Sequence, residues 1–547
     1  MKHQRYGMSR LLRLNLARFL PLSALATLCL FLHVCAPGSA QSQDSTSTTR
    51  SAQASTDVNA WFDAQQAPKL RQDVLDQARK RRENWPDFKP IDLKQLERLG
   101  IARIEIGRVC FYSDVDLDDE LLQIPEALNA AIPKILEFFD LTLERLPTLR
   151  VEAFLIHDYQ KFVTLGALDG PPDFLHGYSL GDRIFANLQT ENYYTRFLLL
   201  HELTHTIMHE LFGDLNPQWF SEGMADYVAA HVWNGEHKNL QLAQFPQEEK
   251  LTPGFARLRQ IRELVRAGQT PTLREILNFQ PKNFADVSAY SWSWALVAFL
   301  LNTEDYRAIA ETMPYWALEP HPNQLFIDAI GSRWGRLEFQ WSAYLATLDY
   351  GYDFTASALA FEPLAPTENT SANVEVASCQ ANRGWQNSGV TLHAGATYRL
   401  TASGRYDFYV EQASRAMPFE APGATFFYYD NHPLGRLCFA TLPAPQEQTF
   451  EDFYSSAMTT PSRATNEDSE QSNGSVSRSR RAQAPTQPKR LNNLMLDALL
   501  DPLDFDSPSV VFTAEYDAIL WMKVNAPSRN LAQNSGDVRV KIERSSK

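Results

Sequence analysis

The feature that most constrains this 547-residue chain is the run over residues 193–212, YYTRFLLLHELTHTIMHELF. Its apolar spacing predicts a long amphipathic helix, ended by Gly213, Asp214, Asn216 and Pro217. The lead-in YYTRFLLL must be buried, so the helix belongs to a core. Within it His201 and His205 stand one turn apart on one face, and both imidazoles can reach a single metal ion. Glu202 takes the neighbouring position. Pro217 then opens a second helix, QWFSEGMADYVAAHV, folded back by a short loop. It carries Glu222, seventeen residues after His205, as a third ligand. Asp226, one turn further on, shares that face and is placed to accept a hydrogen bond from a ligand imidazole's free N–H. His209 extends the i, i+4 ladder, but steps of four drift about 40° round a helix, and three such ligands cannot wrap one ion. His209 is therefore read as a non-ligand, and His231 and His237 as surface residues.

The first forty residues stand outside the fold. Lys2, Arg5, Arg10, Arg13 and Arg18 precede an apolar run over 19–34 that ends in small residues before Ala40, the pattern of a secretory signal. The run is too short to span a bilayer and contains Pro21 and His33, so export is expected, with no transmembrane span in the mature chain. Removing its five positive charges takes the formal net charge from -14 to -19, which disfavours nucleic acid and anionic membranes as partners. Cys110, Cys379 and Cys438 remain, too few for a disulfide scaffold and without zinc-site spacing; a Cys379–Cys438 bridge is open.

The rest reads as a multidomain chain. Residues 41–57 form a small, polar, disordered leader, and 58–100 a helical segment with a charged outer face. Residues 101–360 are α+β: the alternating runs ARIEIGRVCFYS, LRVEAFLI and HGYSLGDRIFANL each read as a strand, beside a mostly helical body. From 366 to 547 the composition turns to Thr, Ser, Gly and short alternating runs, the pattern of an all-β sandwich. A charged low-complexity stretch at about 455–490 interrupts it as a disordered insertion.

Over about residues 100–350 the HELTH segment at 201–205 and the Glu-Gly-x-Ala-Asp-Tyr stretch at 222–227 resemble the gluzincins, the zinc peptidase clan that includes thermolysin and aminopeptidase N. The resemblance implies a small mixed sheet with a helical body, zinc on His201, His205 and Glu222, Glu202 as general base, and Asp226 behind a ligand imidazole. It also implies that residues 178–188 form an edge strand along which a protein or peptide substrate pairs. Tyr290, in SAYSWSWALVAFL, is the candidate oxyanion donor; packing in an aromatic stripe with Trp292 and Trp294 is its alternative role. The GxMEN signature of the aminopeptidases is absent before the HELTH helix, which favours an endopeptidase.

Two further motifs need weighing. GYSLG at 177–181 matches a nucleophile elbow around Ser179, but the context is a turn into a strand rather than a strand opening a helix. In the last domain WQNSGVTLHAGATYRLTASG, HPLGRL and NSGDVRVKI resemble the PA-IL-type galactophilic lectins, calcium-dependent β-sandwiches. That resemblance implies a glycan ligand. The corresponding loop, APSRNLAQNSG, offers Asn530 and Asn534 but no carboxylate, which disfavours calcium. The alternative for the whole chain is a surface binding protein whose peptidase-like domain is silent.

Overall fold

The computed structural model describes residues 57–81, 88–168, 174–213, 215–371, 373–424, 426–456 and 491–545. The expected signal segment, all but the last residue of the leader, and residues 457–490 of the expected insertion lie outside them.

Helices α1 (Ala67–Arg81) and α2 (Leu93–Leu99) make up the N-terminal segment; Asp92 caps α2 by accepting from the Lys94 and Gln95 amides. The first sheet has five strands: β1 (Ala102–Ile106), β2 (Val109–Ser113), β3 (Val151–Ile156), β4 (Gly177–Leu180) and β5 (Arg183–Asn187). Their order is β1-β2-β3-β5-β4, with β2, β3 and β5 parallel and the two outer strands antiparallel to their neighbours. Two runs expected as single strands are therefore hairpins. Each turns through two residues beginning with a glycine at positive φ, Gly107 at 56° and Gly181 at 59°. A two-residue turn preserves the alternation of apolar and polar positions, so periodicity alone reads straight through it. The consequence is topological: within the second hairpin β5 lies inside the sheet and β4 is the edge.

Helix α3 (Ile124–Phe138) covers one face of this sheet, and α4 (Tyr159–Leu165) follows β3. The body continues with α5 (Asn192–Phe212), α6 (Gln218–Ala229), α7 (Arg257–Arg266), α8 (Leu273–Leu277), α9 (Val287–Asn302), α10 (Glu304–Thr312), α11 (Pro322–Ile330) and α12 (Trp334–Thr347). Of the 21 residues of α5, 17 are buried, so it is enclosed on all sides rather than amphipathic. It lies against β4 and β5, with α6 packed along it and α9 packed on α6. The α6–α9 contact is close because residue 223 is glycine: a Cβ there would stand 2.4 Å from the Ser293 carbonyl oxygen.

The C-terminal region holds two facing sheets. One orders Gln386–Leu392, Ala518–Val524, Leu437–Leu442 and Leu503–Asp504; the other orders Ser509–Thr513, Thr397–Ser403, Asp537–Arg544, Val374–Gln380 and Glu368–Ser371. Leu392, Leu400, Phe439, Leu520 and Val540 fill the space between them. This sandwich does not stand apart from the helices. Trp521, buried on the outer side of the four-stranded sheet, packs on Phe339 of α12 at 5.1 Å and on Phe361 at 6.1 Å between ring centroids. Helices Phe450–Ser456 and Leu491–Leu500, which flank residues 457–490, also dock on α12. Cys379 and Cys438 are buried and free, so the bridge left open by the sequence is not formed. The run FFYYD yields only Tyr428–Tyr429, paired with His432–Pro433. Among the described residues no helix is long and apolar enough to cross a membrane.

Candidate metal centre

Helix α5 presents His201 and His205 to α6, and α6 returns Glu222. His205 Nε2 lies 3.1 Å from His201 Nε2 and 3.2 Å from Glu222 Oε2, and His201 Nε2 lies 3.4 Å from the same carboxylate oxygen. Among the described residues these three form the one cluster of metal-capable side chains. An ion about 2.0–2.1 Å from three tetrahedral ligands holds them about 3.3–3.4 Å apart, so the spacing fits a small divalent cation.

The hydrogen bonds around the cluster decide which atoms face its centre. His201 Nδ1 donates to Asp226 Oδ1 at 2.9 Å, since a carboxylate only accepts; Nε2 is thereby left as a lone pair. Asp226 is fully buried and accepts through Oδ2 from Arg257 Nε at 2.7 Å. Gln218 Nε2 donates to Glu222 Oε1 at 2.8 Å and turns Oε2 inward. Lone pairs at this separation repel unless a positive species sits among them. Burial opposes a positive charge there, but Asp226 and Glu222 overcome it and push the His201 imidazole up to about 10. Burial likewise opposes ionisation of Glu222, and the two imidazoles overcome it, holding its carboxyl well below the usual range. The same negative potential favours a divalent cation.

Glu202 is buried beside the cluster, and burial raises its carboxyl above the usual range. Tyr290, on α9, brings its ring to 6.3 Å from that of His201, and Arg257 lies 5.2 Å from the Tyr290 ring. Burial, then the Glu222, Glu202 and Asp226 carboxylates, keep its phenol protonated far above neutrality. Phe284 packs edge-on against it at 4.9 Å, so Tyr290 is both part of an aromatic contact and a neighbour of the cluster.

His209 is exposed and outside the cluster, and His237 is exposed. His231 is not a surface residue: it is 2% exposed, stacks on Tyr193 at 4.5 Å, accepts from Arg196 Nε and donates to the Ala229 carbonyl. Burial and Arg196 drive its imidazole down to about 3, so it stays neutral. Asn534, in the loop of the lectin resemblance, is buried; it donates to the Ala381 carbonyl and accepts from the Tyr409 amide. Two supporting residues escaped the sequence reading. Gln218 sits one turn before Glu222 and was visible in that spacing. Arg257 is one of four arginines on α7, and nothing local separates it from the others.

No protein-family profile matches the chain, and no curated protein matches it. Among the solved structures that align with it, a chain described as "IMPa metallopeptidase in complex with T-antigen" does so at 10% identity over 82% of this chain. The chain spans 43% of that structure's length, and the TM-score of 0.12 is too low to assign a shared fold.

Proposed function

We infer that this chain is an exported zinc-dependent peptidase that cleaves within protein or peptide substrates. The observation that carries the reading is the convergence of His201, His205 and Glu222 donors at 3.1–3.4 Å with the Glu202 carboxyl beside them. Two imidazoles and one carboxylate suit zinc and leave a position for a reactant. Bound there, zinc would supply a Lewis acid that polarises the scissile carbonyl and acidifies water.

The chain's own residues provide the rest. Glu202 takes a proton from the attacking water and returns it to the leaving amine, and its buried, raised carboxyl suits both halves of that transfer. Tyr290 keeps its proton and donates toward the oxygen on which negative charge develops. Asp226, itself held by Arg257, fixes the His201 tautomer, and Gln218 aims Glu222. Among the described residues β4 pairs only with β5 and so offers an edge along which an extended peptide adds as a strand. The signal-like N-terminus supports export.

The test is metal analysis coupled to proteolysis of an unfolded protein. The purified chain is expected to hold zinc stoichiometrically and to cleave, with cleavage abolished by chelation. Glu202→Gln is expected to retain zinc and lose turnover. A well-folded protein that binds no zinc at neutral pH would end this reading.

A further inference from the structure

The motif GYSLG, set aside as a nucleophile elbow, occupies β4, and its glycine and serine face the cluster. Gly177 and Ser179 are two residues apart on one strand and point to one side of it. That side is turned to α5: a Cβ at Gly177 would stand 2.6 Å from Glu202 Oε1 and 3.1 Å from its Cγ. Ser179, two residues further along, shares that side of β4 and so turns its hydroxyl toward the same carboxylate. Tyr178 points the other way and stacks with Phe174. The backbone at 177 is not left-handed, so glycine is required there for room and not for conformation.

The geometry points to Gly177 and Ser179 as a seat for Glu202: a positioning pair on the substrate-binding edge strand that holds the general base in register with the water it deprotonates. This deepens the peptidase reading and rests on it. Gly177 supplies the space that the carboxylate occupies, and the Ser179 hydroxyl is the donor the seat offers it from the same side of the strand. The atom that a larger residue at 177 would meet is the far end of a flexible side chain, so the displacement falls on Glu202 and spares the strand. The pairing of β4 with β5 runs through main-chain groups and is untouched.

Four variants test the seat beside the wild type: Gly177→Ala, Ser179→Ala, Ser179→Thr and Glu202→Gln. Each is assayed as the zinc-loaded full chain for kcat, KM, zinc content and melting temperature. A displaced catalytic group costs about 100-fold in turnover, and loss of one bond to a charged group about 10-fold. Gly177→Ala and Ser179→Ala should therefore lose kcat by those factors with KM, zinc and melting temperature unchanged. Ser179→Thr should restore activity toward the wild type. A crystal structure of Gly177→Ala should show the Glu202 carboxylate displaced from β4, a readout independent of turnover. Wild-type kcat in both alanine variants, loss of kcat that tracks loss of zinc, or an unmoved Glu202 would each overturn the seat. A zinc-loaded wild type that cleaves nothing would instead overturn the peptidase reading, and the position of Glu202 in Gly177→Ala would still decide the seat.

Discussion

Asp226→Asn is the most informative single change, because Asp226 joins two consequences that are separable. The residue is fully buried and its two oxygens are divided between His201 Nδ1 at 2.9 Å and Arg257 Nε at 2.7 Å. Both partners donate. An asparagine has one acceptor and one amide, so its amide must confront one of the two donors whichever way it turns. Arg257, with its side chain 7% exposed, then keeps a buried charge without its counter-ion. Removing one member of such a pair costs about 3–5 kcal/mol of folding stability. Weakening the bond behind a ligand imidazole costs about 10–100-fold in metal affinity. The first loss is read by denaturant melts of the chelator-stripped protein, the second by competition with a zinc indicator. The double variant Asp226→Asn/Arg257→Met removes the stranded charge and should recover most of the stability while the affinity stays low. An Asp226→Asn protein with wild-type denaturation and wild-type zinc affinity would refute the reasoning.

Two further outcomes are expected. Glu338 on α12 is buried and bonded to Tyr454 in the helix Phe450–Ser456; burial raises its carboxyl from 4.5 to about 7. A raised carboxyl stabilises the fold fully below the unfolded pKa, and that contribution is lost as pH rises through about 7, a loss of roughly 3 kcal/mol. Melting temperatures of Glu338→Gln and wild type should thus agree near the acid end, separate in the variant's favour between about pH 4.5 and 7 and stay apart above neutrality; parallel curves would contradict it. Trp521→Ala removes the ring shared by the sandwich and α12 and should cost about 3–5 kcal/mol, read as a lower melting temperature of the whole chain. A separate transition for an undisturbed helical body would contradict the shared core.

The cluster was legible in the sequence because its chemistry is local. His201 and His205 are one turn apart, and Glu222 and Asp226 repeat that spacing on the next helix, so helical geometry alone sorts them onto facing sides. Arg257 and Gly177 were not legible, because what they do depends on where distant segments cross. His231 was misjudged for a related reason: nothing in its neighbours announces that Tyr193 and Arg196 will enclose it. The two hairpins of the first sheet hid behind an unbroken alternation. The shared core has a signal in the sequence: AILWMKV is apolar nearly throughout, and a strand covered on both faces reads that way.

Gly223 sets the gauge between the two helices that carry Glu222 and Tyr290. Glu222 stands on α6 and Tyr290 on α9, and between those helices the Ser293 carbonyl approaches the main chain of Gly223 with no side chain interposed. Side chains between helices can change rotamer and absorb a misfit; two backbones in contact have no such slack. The separation of the two helix backbones that carry the carboxylate and the phenol is therefore closely set at this point. Enlarging residue 223 by one methyl group would reset that spacing, moving the two helices apart without touching either functional side chain.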